Sequence, residues 1–230
     1  MESLNSILPV VTLCTFEAFA GYGAQHLALK LIAKQGPWLK IKVVGVAEID
    51  PFADKAYHVL HGKRIKNYGD ISKIQWHQVP DFNLFFYSFP CTDISISGNQ
   101  KGLTEGSGTS SSLVWECRNA IKNKRPQFLI MENVSTILSQ KFEEDFNLWK
   151  EALNEQGYDN YYQVINAKDF GVPQNRARCF MVSILREETK DTGESESTSY
   201  VFPKPEPLKI KAEALLERKV DDSYYFNLAA

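Results

Sequence analysis

No apolar run in this sequence approaches the roughly 20 residues that span a bilayer, so a helical membrane protein is not expected. The opening residues MESLNSILPVVTL lack a basic start and a small-residue cleavage site. No secretory leader is read there, and cytoplasmic residence is the expectation. Cysteine is scarce: Cys14, Cys91, Cys117 and Cys179 are far apart and form no CxxC pair. That spacing argues against a structural zinc knuckle, and no metal is expected. Nor is there an excess of basic charge, since 26 Lys and Arg face 28 Asp and Glu. A protein that gripped a nucleic-acid backbone unaided would more often be basic, so part of any such grip is expected from elsewhere. Internal repeats are also missing.

What is present suits one sizeable core. The 230 residues are 43% hydrophobic and 23% charged, an ordinary globular composition. Strand-like runs (VVTLCTFEAF, IKVVGVAEID, DFNLFFYSF, PQFLIMENV, YYQVINAKDF, RCFMVSIL) alternate with helix-like ones (GAQHLALKLIAKQG, PFADKAYHVLHG, SLVWECRNAIKNK, EEDFNLWKEALNEQG). Near-continuous apolar strands alternating with helices predict an α/β fold, a doubly wound and mostly parallel sheet covered on both faces. Ligands gather beyond the carboxyl ends of such strands. Glu17 to Gly23, Glu48, Asp70, Cys91 and Glu132 all fall at or just past predicted strand ends. Residues 1–185 are expected to form one domain. Residues 186–230, with an acidic, serine-rich run and then FPKPEP, read as linker and tail, with one short helix in LKIKAEALLERKV.

FEAFAGYGAQHLAL joins a strand to a helix through Gly21 and Gly23, which permit a tight turn near a ligand. His26 stands where a dinucleotide fingerprint would want its third glycine. Glu48 at the end of the second strand suits a ribose diol, and Asp70 at the end of a third suits an adenine amino group. Either acid alone reads as a solvated loop carboxylate. Together they describe a pocket for an adenosine without pyrophosphate, which favours S-adenosylmethionine over NAD.

Cys14 and Cys179 lie in apolar, strand-like runs and Cys117 in a helical one, and all three read as buried structural thiols. Cys91 does not: in FPCTDISISGNQKG it follows a strand and precedes a small, polar loop. A thiolate there is a strong nucleophile if a partner draws electrons onward. Glu132 in MENV is a candidate partner, since an idle acid at the end of an apolar strand would be costly to desolvate. Asn133 beside it could fix loop geometry. Arg176 and Arg178 alternate in QNRARCF and so are expected on one strand face, either gripping a phosphate or carbonyl oxygen or forming a plain surface pair.

FAGYG, the Glu of VAEID, GDI, FPCTDISISGNQKG, MENV and PQNRAR occur in the order and spacing of the DNA cytosine-5 methyltransferases, over roughly residues 12 to 185. The chain resembles that family, and the resemblance implies its Rossmann-like, S-adenosylmethionine-dependent fold and its chemistry. Cys91 resembles the nucleophile that adds to carbon 6 of a flipped cytosine, Glu132 the carboxyl at ring nitrogen 3 and the exocyclic amine. Arg178 resembles the arginine at the ring carbonyl, and Arg176 its neighbour that supports the catalytic loop and backbone. Phe19, Gly21, Gly23, Glu48, Ile49, Asp70, Ile71, Pro90 and Leu113 match the cofactor-binding positions. Thr92 to Ser112 would close over the base. A restriction-modification setting is implied, with double-stranded DNA as partner, and the same residues also occur in a related group acting on transfer RNA.

Some positions depart from the pattern. Glu17 stands where Asp is commoner, Ala24 replaces a glycine, and TEGSGTSSSL lacks an arginine often found before the next helix. Nothing matches the family's target-recognition domain or its Gly-Asn-Ser helix. The expectation is one subunit of a split enzyme whose complementary chain supplies both. A truncated product, or a non-catalytic subunit that binds cofactor or DNA, stands as the alternative.

Overall fold

The computed structural model describes residues 9–188, 195–196, 199–221 and 223. Its centre is a six-stranded sheet in the order β2-β1-β3-β4-β6-β5. The strands are β1 Val11–Ala18, β2 Leu39–Ala47, β3 Leu84–Tyr87, β4 Phe128–Val134, β5 Tyr158–Asn166 and β6 Ala177–Leu185. β2, β1, β3 and β4 pair in parallel, whereas β6 runs antiparallel to both β4 and β5. The doubly wound, mostly parallel sheet expected from the sequence is therefore the one observed.

Four helices, α1 Ala24–Ala33, α2 Pro51–His61, α3 Val114–Lys124 and α4 Glu143–Glu155, cover the two faces. Successive strand residues point to opposite faces, and β1 shows which helices lie where. Phe16 and Ala18 enter the large cluster with Cys117 and Ile121 of α3 and Trp149 of α4. Glu17, between them, turns the other way to meet Tyr57 of α2. Aromatic rings fill the larger core: Trp149 donates to the Tyr87 hydroxyl at 3.3 Å and takes the Trp115 ring edge-on at 5.4 Å. α2 starts as its sequence dictates, with Pro51 at the first turn and the Asp50 carboxylate accepting from the Phe52 and Ala53 amides.

Chain order reverses direction between β1 and β3, which places a crevice at the carboxyl ends of these strands. Because β6 is antiparallel, its first residues return to that same edge.

Four expectations need correction. Asp70 does not end a strand: the segment before it makes a single bridge, Val46 to Asn67. The Asn67 side chain is instead committed to Glu48, Asp54 and Gly69, and Gly69 turns at φ 72°. Asp70 then caps a short 3-10 turn, Ile71–Lys73. Arg176 lies one residue before β6, so the two arginines do not share a strand face. The Asn166 carboxamide takes the Arg176 amide at 3.0 Å and closes the loop there. Cys14 is half-buried, while Cys117 and Cys179 are buried. The helix expected in LKIKAEALLERKV is one 3-10 turn, Ala212–Leu215.

Of the tail, Glu187–Glu188 pairs with Ser195–Glu196. Tyr200 meets Tyr161 of β5 at 5.9 Å, and the Glu206 amide donates to the Asp169 carbonyl. Much of the acidic, serine-rich run and the last seven residues lie outside the described residues. No helix among the described residues is long and apolar enough to cross a membrane.

Candidate active site

Two groups of predicted residues meet at the carboxyl edge. The first lines a cleft of about 160 Å³ bounded by Phe19, Ala47, Glu48, Ile49, Gly69, Asp70, Ile71, Pro90 and Leu113. Seven of the nine expected cofactor residues are thus brought together. Phe19 holds a left-handed backbone, φ 55°, unusual for an aromatic residue. Strain of this kind persists where the surroundings over-determine it. Here the Ala20 amide is tied to the Ala47 carbonyl.

The remaining two, Gly21 and Gly23, do not line the cleft but sit behind it. The Gly21 amide donates to Glu48 Oε2 at 2.7 Å, and the Asp50 amide to Oε1 at 2.8 Å. These two bonds fix the plane of the Glu48 carboxylate and leave it further acceptor capacity. Gly23 caps α1 at φ 80°, where a Cβ would lie 2.6 Å from both His61 Nε2 and the Tyr57 ring. Asp70 accepts from the Ser72 amide and hydroxyl, which hold its carboxyl below the usual range. Two acids on the wall of an otherwise apolar cleft can accept hydrogen bonds from a ligand whose remaining surface packs on apolar side chains.

The second group surrounds Cys91, which is exposed just beyond β3. Its carbonyl accepts from the Ile94 and Ser95 amides, so the chain turns at once after the thiol. Buried Asn133 donates to the Phe89 carbonyl at 2.9 Å, tying the Phe-Pro-Cys segment to β4. From the same strand Glu132 faces Arg178, with Nε 3.2 Å from Oε1, and both side chains are about three-quarters buried. The register sets Arg178 opposite Val134, the diagonal neighbour of Glu132. Beside them burial pushes the Cys179 thiol up to about 12, with Glu132 adding to the shift, so Cys179 is no nucleophile. Arg176 is exposed and stands apart from this pair.

Several residues that position the site were not singled out from the sequence. Ser111 is buried, donates to the Pro90 carbonyl at 2.7 Å and accepts from the Asp93 amide. Thr136 donates to the Ile94 carbonyl at 2.6 Å. Asp145 of α4 accepts from the Leu103 amide at 3.0 Å and the Thr104 hydroxyl at 2.9 Å, anchoring the far end of the loop. Nothing in a run of three serines distinguishes Ser111, and Asp145 reads as one more acid in a helix's first turn.

Glu17, noted only as a departure from Asp, is fully buried. Its Oε2 accepts from the Tyr57 hydroxyl at 3.0 Å, while Oε1 has no hydrogen-bond partner among the described residues. Burial pushes its carboxyl up to about 7, against the pull of Tyr57 and Lys30. The Tyr57 oxygen lies 2.8 Å from His26 Nδ1, and burial, with His61 and Lys30, holds His26 down to about 4.

The chain is similar to known proteins. A family model described as C-5 cytosine-specific DNA methylase matches residues 13–229. The type II methyltransferase M2.ScrFI of Lactococcus lactis subsp. cremoris is 34% identical over 262 residues, covering 91% of this chain and 69% of that protein. The orphan methyltransferase M.SssI of Spiroplasma monobiae is 34% identical over 232 residues, covering 75% and 59%. Of several other curated relatives the chain spans about half the length. Among solved structures, the Entamoeba histolytica methyltransferase EhMeth superposes with a TM-score of 0.69 at 18% identity, over 94% of this chain and 63% of that one. At that identity the likeness establishes the fold alone.

Proposed function

From the premise that this chain belongs to the C-5 cytosine-specific DNA methylase family, we propose that it methylates carbon 5 of cytosine in double-stranded DNA, with S-adenosylmethionine as donor. The observation that carries the reading is the bond from Asn133 to the Phe89 carbonyl. It fastens the exposed thiol of Cys91 beside the strand that presents Glu132, already paired with Arg178.

The residues divide the work as follows. Cys91 Sγ, as thiolate, bonds to carbon 6 of a cytosine turned out of the duplex; the carbon 5–carbon 6 π pair shifts to the carbon 5–carbon 4 bond and the carbon 4–nitrogen 3 pair onto nitrogen 3, leaving carbon 5 nucleophilic. Glu132 accepts from the exocyclic amine with one oxygen and, through a proton held between its other oxygen and ring nitrogen 3, supports the charge that develops there. Arg178 holds Glu132 in place and reaches the ring carbonyl with its remaining donors. Arg176, exposed at the same edge, steadies the loop and the phosphate backbone. Phe19 lies against the adenine, Glu48 accepts from the ribose hydroxyls, and Asp70 accepts from the adenine amine. Ile49, Ile71, Pro90 and Leu113 exclude water from the cleft, and Gly21 and Gly23 form the turn behind it. The cofactor, when bound, supplies an electrophilic methyl group to carbon 5. Loss of the carbon 5 proton and expulsion of the Cys91 thiolate then restore the ring.

Target choice is assigned to residues beyond the part of the relatives that this chain spans. The test is covalent trapping on DNA containing 5-fluorocytosine, where carbon 5 has no proton to lose. The chain, complemented with the C-terminal part of a relative, is expected to form an adduct stable to denaturation, and Cys91→Ser none. Equal trapping by both would remove Cys91 from the mechanism. An adduct with transfer RNA and not with DNA would move the substrate class.

A further inference from the structure

The glycine turn behind the cleft rests on a group that the proposed chemistry does not use. His61, the last residue of α2, places Nε2 3.0 Å from the Tyr22 carbonyl and Nδ1 3.0 Å from Lys30 Nζ. An ammonium group only donates, so Nδ1 must be the acceptor of that contact. The ring proton is therefore on Nε2, and Nε2 donates to Tyr22. Lys30 thus selects the tautomer that the turn requires. Burial and the Lys30 charge also hold His61 below the usual histidine range, keeping the ring neutral.

The ring is fixed in its plane as well. His61 stacks on His26 at 4.2 Å and 11°, and His26 is held by Tyr57, which bonds Glu17. Gly23 sits so close over His61 and Tyr57 that no side chain fits between them. From the turn one bond leads to the cleft, the Gly21 amide to Glu48 Oε2 at 2.7 Å.

We propose that His61, with its tautomer set by Lys30, is a positioning residue for the Gly21–Gly23 turn and through it for the Glu48 carboxylate, and so sets affinity for the adenosyl cofactor. This rests on the assignment of the cleft as the cofactor site. The loss of one fixed hydrogen bond behind a binding group corresponds to about tenfold in affinity.

The test needs neither DNA nor turnover. The purified chain and its variants are titrated with S-adenosylhomocysteine by calorimetry, with thermal melts alongside. His61→Phe keeps the stacking ring and loses the donor, and about tenfold weaker binding is expected. His61→Gln, whose amide nitrogen reaches roughly as far as Nε2, is expected within about threefold of the parent chain. If both variants bind like the parent, the positioning role is wrong while the cofactor site stands. If the parent binds no S-adenosylhomocysteine, the cofactor assignment falls, and the affinity claim with it. Nitrogen-15 shifts of the His61 ring give a second readout, independent of ligand and of any variant's folding. The Nε2–H form is expected, and an Nδ1–H form overturns the inference.

Discussion

Replacing Glu17 by Gln tests whether a carboxyl can serve as a neutral buried group behind the cofactor turn. In the folded chain this carboxyl is pushed from its ordinary 4.5 up to about 7, first by burial. An acid with a raised folded value binds more protons folded than unfolded between those two pH values. It therefore stabilises the fold below about 4.5, and that stabilisation is lost as pH rises to about 7. The difference of about 2.5 units corresponds to at most about 3 kcal/mol. His26 opposes it, since its value falls from 6.5 to about 4 and its contribution is lost as pH falls through that range. The two largely cancel in the wild-type curve, which hides both. Comparison with Glu17→Gln separates them, because Glu17 is not among the groups that shift His26. Urea melts at half-unit steps from pH 5 to 8 should show the variant gaining on the parent by up to about 3 kcal/mol as pH rises. A constant difference would refute the buried proton. A difference running the other way would show that the site favours the carboxylate.

Gly23→Ala should cost roughly 2 kcal/mol in denaturant melts, because φ 80° disfavours a Cβ and His61 and Tyr57 block its place. Asn133→Ala leaves the Phe89 carbonyl buried without its partner, so about 1–3 kcal/mol of stability should be lost. Trapping on 5-fluorocytosine DNA should slow in the same variant, measured at a temperature where it stays folded. Asp145→Ala frees Leu103 and Thr104 from α4, and limited proteolysis should cut between residues 104 and 110 several-fold faster with the global melt little changed. Unchanged cleavage would mean that Trp115, which donates to the Leu103 carbonyl at 2.8 Å, anchors the loop without help.

The legible part of the fold was the part governed by period and punctuation. Apolar strands alternating with helices, Pro51 opening α2 and glycines at the turns all speak through local chemistry, and the sheet follows them. The cleft was legible in part because Phe19, Ala47 to Ile49 and Pro90 sit at or just past the ends of β1, β2 and β3, where topology alone brings them together. The errors arose where a tertiary hydrogen bond overrode local pattern. Asn67 turned an expected strand into a single bridge, and the Asn166 carboxamide held Arg176 outside β6. Ser111 and Asp145 stayed invisible because their importance lies in a partner 21 to 42 residues away, which no local spacing announces.

The antiparallel strand explains how one edge of the sheet gathers both signs of charge. Parallel strands present only their carboxyl ends there, and in this chain those ends carry Glu48 and Glu132. A cation near the start of a ninth-residue-long parallel strand would emerge at the far edge, about 25 Å away at ~3.3 Å per residue. Because β6 runs against β4, its second residue, Arg178, arrives beside Glu132 instead. The pair is three-quarters buried, where an unpartnered carboxylate would be costly. Direction of one strand thus decides whether Glu132 has a cationic partner beside Cys91. Arg178→Met should therefore leave the Glu132 carboxylate three-quarters buried without its ion-pair partner, and urea melts should show a loss of roughly 1–3 kcal/mol. An unchanged melt would mean that solvent, not β6, satisfies the Glu132 carboxylate.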